Sequence, residues 1–148
     1  IEYMRKEHNL NVGERTAELI KIEVGAAIQD LDNPPEEYSV HGRDMLTGIP
    51  KEIKVNYREI AHCLDKSISK IETAVLNTLE TTPPELSADI FRTGIYLTGG
   101  GALLRGLDKR LHAKTNLPIH VAEDPLRAVA RGTGIALKNF DKFPFLIK

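Results

Sequence analysis

The chain has 148 residues, 41% hydrophobic and 28% charged, which is the make-up of a soluble globular protein with material for a real core. A net charge of −1 supplies no basic stripe for a phosphate backbone, so nucleic acid is not an expected partner. One cysteine, Cys63, excludes an internal disulfide framework. With no signal-peptide pattern and no apolar run of membrane-crossing length, a cytoplasmic location is expected.

The opening "IEYMRKEHN" (1–9) has the spacing of a helix's last turns, with Ile1, Met4 and His8 on one side. Nothing ahead of it could cap a start, so it reads as the remainder of a helix that begins upstream. Gly13 precedes an amphipathic helix over 14–28, with Ala17, Ile20, Val24 and Ile28 on its buried face. "NPPEE" (33–37) is a turn, because proline fixes φ and asparagine favours turn initiation. Short strands at 38–41 and 52–55 flank "GRDMLTGIP" (42–50), whose glycines and proline suit a hairpin or bulged connection.

A long helix starts at Asn56, which forms a capping pair with Glu59 three residues later. Ile60, Leu64, Ile68, Ile71, Val75 and Leu79 hold helical spacing for about six turns. It must stop before "TTPPE" (81–85), where Thr82 as cap, Pro83 at the first position and Glu85 at the third begin a short helix. "GIYLT" (94–98) reads as a buried strand. Leu103, Leu104, Leu107 and Leu111 define the next helix, and "LPIHVAE" (117–123) another strand. Asp124 as N-cap, with Pro125, opens a last helix to about Lys138. Strand, helix, strand, helix in the final third predicts an α/β unit with parallel neighbours. The first third reads as a separate small lobe.

Gly99, Gly100 and Gly101 lie between the strand at 94–98 and the helix that follows. They match neither Gly-x-Gly-x-x-Gly nor the P-loop, since Leu104 replaces the third glycine of one and Leu107 the lysine of the other. A strand ending in glycines that feed a helix can still serve as an anion or nucleotide contact. On the residues alone, a packing turn is an equally good account. Glu14, Glu18 and Lys21 share one face of the first amphipathic helix, which is either a solvated face or a wall against a flat ring.

No self-contained catalytic site emerges. The five histidines lack metal-ligand spacing, and no serine sits in a nucleophile elbow. His62 and Cys63 are adjacent on a helix and diverge, leaving Cys63 as a buried small hydrophobe. Asp108, Lys109-Arg110 and Lys66/Lys70 read as helix surface.

Five segments taken together carry a resemblance. "GERTAELIK" (13–21), "GRDMLTGIPKEI" (42–53), "TPPELSADI" (82–90), "LTGGGALLRGLD" (97–108) and "VAEDPLRAVARGTG" (121–134) occur in order and at matching spacings. They resemble the MreB family, bacterial actin-like proteins of rod-shape determination. Only the turn near Asn33 and the tail "FDKFPFLIK" (140–148) diverge. The resemblance implies an α/β actin-like ATPase fold (ribonuclease H-like), of which this chain is the C-terminal half. Residues 1–63 would be the small upper lobe (subdomain IIB), 64–124 would belong to subdomain IIA, and 125–148 would be the helix and tail returning towards subdomain IA.

In that family ATP lies in a cleft between two halves. The matching positions on its adenosine side are Gly99, Gly100, Gly101, Ala102 and Leu103, faced by Glu18, Leu19, Ile20 and Lys21. The family's phosphate hairpins, and with them most Mg²⁺ ligation, lie in the other half, so this chain alone is expected to have little or no ATPase activity and no catalytic or metal residues. The implied role is the adenosine-contacting, filament-forming half of a cytoskeletal protein that organises wall synthesis and maintains rod shape. Its partners would be other protomers, the N-terminal half, and membrane-adaptor and wall-synthesis proteins. Filaments would lie at the inner face of the cell membrane, without insertion by this part. A fragment of a sugar- or acetate-kinase relative, a heat-shock-type chaperone ATPase and a non-enzymatic interaction module remain the alternatives.

Overall fold

The computed structural model describes residues 1–139 and 142. The divergent tail at 140–148 therefore lies outside the described residues, apart from Lys142.

Helix α1 (Glu2–His8) ends where Asn9 turns left-handed at φ 51°, a conformation asparagine tolerates better than most residues. The chain then enters β1 (Leu10–Asn11), a strand too short to leave any alternation in the sequence. Helix α2 (Glu14–Val24) follows Gly13, and its inward side chains are Ile20 and Val24. It stops four residues short of the expected 28. Gly25 turns extended and Ala26 makes a parallel bridge to Arg105, so tertiary pairing overrides the apolar spacing that pointed on to Ile28.

Strands β2 (Tyr38–Asp44) and β3 (Pro50–Val55) form the expected hairpin, and β1 adds antiparallel to β2, giving the order β1-β2-β3. Register pairs Val40 with Ile53 and Tyr38 with Val55, which puts Val40 and Val55 into the core. At the tip, Asp44 Oδ1 accepts the Leu46 and Thr47 N–H groups at 2.7 and 3.1 Å. Gly48, at φ 75°, takes the left-handed position that closes the turn.

Helix α3 (Tyr57–Glu80) is capped as the sequence predicts, the Glu59 N–H donating to Asn56 Oδ1 at 3.0 Å. The Glu59 side chain does not complete a reciprocal box. It pairs with His8 and so ties α1 to α3. Burial, reinforced by the Glu59 charge, pushes the nearby Tyr3 hydroxyl up to about 12.

Helix α4 (Pro84–Thr93) begins one residue later than expected. Pro83 is the cap and Pro84 the first helical residue, while the Thr82 hydroxyl donates back to the Thr78 carbonyl at 2.7 Å. Strand β4 (Ile95–Leu97) is not the buried strand expected, since Tyr96 is exposed. Helix α5 (Leu107–Thr115) starts four residues after the predicted Leu103. A 3₁₀ turn at Gly100–Leu103 and an extended Leu104 intervene. Strand β5 (Ile119–Val121) pairs parallel with β4, as the alternation of elements implied. Asp124 does not cap the last helix. It opens a turn, and α6 (Ala128–Lys138) is entered at Arg127.

Two apolar clusters result. Leu10, Val24, Ala26, Val40, Val55 and Ile60 belong to the first. Ala27, Ile68, Leu107 and Leu111 form the second. Leu64 packs against both, and between Ala26 and Ala27 the backbone passes from one to the other.

Candidate functional site

The glycine run divides into one residue with a conformational reason and two without. Gly99 sits at φ 80°, ψ 173°, a region that side chains rarely adopt, and its N–H donates to the Pro125 carbonyl at 2.7 Å. Gly100 and Gly101 open the 3₁₀ turn, neither with a positive φ. A Cβ on Gly101 would meet nothing within 4 Å, and one on Gly100 only Leu126 Cδ2 at 3.4 Å, an ordinary contact. Packing inside the chain therefore does not explain why these two lack side chains. Ala102 is buried and anchors the turn, while Leu103 is exposed.

On α2, Glu18, Leu19 and Lys21 are exposed, whereas Ile20 is 4% exposed and belongs to the first core. The two sequence-distant segments are joined at their ends. Arg105, two residues past the turn, donates through Nη1 to the Ile22 carbonyl at 2.9 Å, and the Ala27 N–H donates to the Arg105 carbonyl at 2.8 Å. This connection brings the C-terminal end of α2 to the chain just beyond Leu103.

Arg110 departs from the solvated helix surface expected of Lys109-Arg110. Arg110 is mostly buried between α3, α5 and the Ala27 segment. Its Nε and Nη2 donate to Glu72 Oε1 and Oε2 at 2.7 and 3.3 Å, and its Nη1 reaches Asp65 Oδ1 at 2.8 Å and the Ala27 carbonyl at 3.0 Å. The Glu72 hydrogen bond raises the guanidinium pKa further, outweighing the opposing cost of burial. A signal existed: Glu72 lies four residues after Ile68, on the apolar side of α3, where a charge needs a buried partner. Beside it, Lys109 pairs with Asp32, and their hydrogen bond lowers the Asp32 pKa and raises that of Lys109.

An open pocket of 790 Å³ borders this network, lined by residues that include His62, Asp65, Lys109 and Lys114. No residue of the glycine turn lines it. Cys63 is half-buried rather than fully buried, and desolvation raises its thiol pKa, which disfavours the reactive thiolate. Among the described residues no group of three or more His, Cys, Asp or Glu side chains could hold a metal, and no helix is long and apolar enough to cross a membrane.

A family profile described as MreB/Mbl protein matches residues 1–144. The chain belongs to the MreB/Mbl family. It is similar to the cell shape-determining protein Mbl of Bacillus subtilis (strain 168), 48% identical over 97% of this chain and 43% of the relative. The cell shape-determining protein MreB of Escherichia coli (strain K12) is 45% identical over 95% of this chain and 40% of its own. Among solved structures, MreB5 of Spiroplasma citri is 40% identical and covers 95% of this chain, against 42% of its own, in both its AMPPNP-bound and ADP-bound forms. The TM-scores are 0.88 and 0.89. The fold is thus the actin-like ATPase fold of the MreB/Mbl family, and the chain spans less than half the length of these relatives.

Proposed function

We propose that this chain is the adenosine-contacting half of an ATP-dependent, filament-forming cell-shape protein. Gly99–Leu103 would form one side of an adenosine site and the Glu18–Lys21 face of α2 the other. The observation that carries the reading is the bare pair Gly100 and Gly101, whose missing side chains leave space that the chain itself does not fill. Family membership supports it, as does a relative solved with both AMPPNP and ADP.

The turn's backbone would approach the nucleoside where a Cβ would intrude. The stems of Glu18 and Lys21 would lie against the ring, with their heads at its polar edge. Ile20 and Ala102, both buried, would support these surfaces from behind. ATP bound between two lobes supplies a bridge that favours their closed arrangement, a population shift driven by differential contacts. Phosphate and Mg²⁺ ligation belongs mainly to the part of the family's length this chain does not span, so the chain alone would not sustain turnover. Its partners would be neighbouring protomers, the N-terminal half, and adaptor and wall-synthesis proteins at the inner face of the membrane.

Gly101→Asp in the full-length protein tests the site directly. Because a side chain at 101 meets open space and no positive φ is involved, the nucleotide-free melting temperature should stay unchanged. ATP and ADP affinity should both fall at least ~10-fold, from steric exclusion and charge. Unchanged affinity would return the glycines to the role of a simple turn.

A further inference from the structure

Two arginines from one side of the candidate cleft hold the same stretch of backbone on the other. Arg105 donates from Nη1 to the Ile22 carbonyl at 2.9 Å and, more weakly, to that of Gly25 at 3.4 Å. Its own carbonyl accepts the Ala27 N–H, so side chain and main chain hold the segment together. Arg110 adds a bond to the Ala27 carbonyl, and Lys109 pairs with Asp32 just beyond. The last carbonyls of a helix lack intrahelical donors and carry partial negative charge, which makes a guanidinium a well-matched cap.

Two glycines allow the approach. A Cβ on Gly25 would stand 2.1 Å from the Lys21 carbonyl oxygen and 3.1 Å from Leu104 Cδ1. One on Gly106 would stand 2.6 Å from Ile28 Cγ1, and Gly106 also has φ 75°. The joint lies where the chain passes from the first core at Ala26 to the second at Ala27. Its position therefore governs how the exposed face of α2 stands relative to the bare glycine turn.

We infer that Arg105 is a positioning residue for the nucleoside: it fixes the spacing between α2 and the Gly100–Leu103 turn, its guanidinium being engaged on carbonyls. This rests on the adenosine reading above. Arg110 is held chiefly by Glu72 and Asp65, and removing it would leave a buried carboxylate, so Arg105 is the tie that can be cut without that penalty. A change in spacing acts on the adenosine end, which ATP and ADP share.

The test uses the full-length protein with Arg105→Ala and Arg105→Lys, titrated with ATP, ADP and GTP and read against the nucleotide-free melting temperature. The alanine variant should bind ATP and ADP each about tenfold more weakly, by the same factor, with a smaller preference for ATP over GTP. The lysine variant keeps a point charge without the fork and should fall between. Equal affinity in all three proteins overturns the inference, as does a loss confined to ATP, which would implicate the phosphates. If the unsubstituted protein binds neither ATP nor ADP, the adenosine reading fails first and takes this inference with it.

Discussion

The two ends of α3 carry the same apolar spacing and meet different fates. At its N-terminal end, Ile60 and Ala61 join a core closed by α1, α2 and three hydrogen-bonded strands, in which Leu10 is fully buried. Towards its C-terminal end, Ile71 is 48% exposed. There α3, α4 and β4 border an apolar groove of 520 Å³ lined in part by Val75, Leu79, Ile90 and Ile95. The sheet beside it has two parallel strands, and neither α4 nor α6 buries a single described residue. Parallel sheets are ordinarily covered on both faces, and two strands alone are marginal in water. Periodicity thus identifies the face that needs covering but not what covers it. The elements around the first apolar cluster, α1, α2 and β1–β3 (the lobe), supply their own cover. The C-terminal part of α3 with α4–α6, β4 and β5 (the body) leaves apolar surface open, in a chain spanning 43% of its Bacillus subtilis relative.

The contrast is easiest to break at its extremes. Leu10→Ala should destabilise the fold by about 2–5 kcal/mol in urea unfolding, because the closed lobe cannot collapse around the cavity. Ile71→Ala, at the open end of the same helix, should cost no more than about 1 kcal/mol. Equal costs would mean that the lobe and the body are equally closed in solution. Next comes Glu72→Ala, which removes the bidentate partner of a mostly buried guanidinium and leaves Asp65 as its only carboxylate, beside the Ala27 carbonyl and the Ser69 hydroxyl. Its expected cost is about 3 kcal/mol, and Glu72→Gln, which preserves one acceptor, should cost less. If the alanine variant is silent, the charge network contributes nothing to the body.

What was legible follows from how local each signal is. The hairpin, the Asn56 cap and the parallel strand pair were readable because turn chemistry, capping and alternation act over a few residues. Helix boundaries are less legible, because competing contacts displace them, one long-range and the others local turns. The Ala26–Arg105 bridge ends α2 before Ile28, and the intervening 3₁₀ turn delays α5 to Leu107. At Asp124 a turn replaces the expected cap. The candidate site was legible as two separate segments and not as a joint. Arg105 had no local signal, because its partners are carbonyls about 80 positions away in the chain.

A smaller effect tests the lobe's own edge. Asp44 accepts the Thr47 and Leu46 N–H groups at the hairpin tip, and those bonds hold its carboxyl below the ordinary 3.8, with Lys51 assisting. A folded pKa lower than the unfolded one contributes stability that is fully present above the unfolded value and lost as pH falls through the folded one. Melting temperatures of the unsubstituted protein and Asp44→Asn should therefore differ at neutral pH and converge below pH 3.8. A constant gap would mean that the side chain contributes regardless of its charge, and no gap at any pH would assign the turn's stability to Gly48 and the backbone.

The smallest expected effect probes the open side most sharply. Val129 is exposed on α6, so Val129→Ser in this chain alone should change stability by no more than about 0.5 kcal/mol, valine and serine having similar helix propensities. In the full-length protein the same substitution meets whatever covers α6. If the helix packs there, the lost burial should raise the cost to about 1–3 kcal/mol. The informative quantity is the difference between the two measurements, since propensity and unfolded-state effects enter both and cancel. A clear rise would make α6 an interior helix awaiting its partner, as its apolar face suggests. Two equally small values would make that face true surface, and the asymmetry between lobe and body would then have to be explained by the β4–β5 sheet alone.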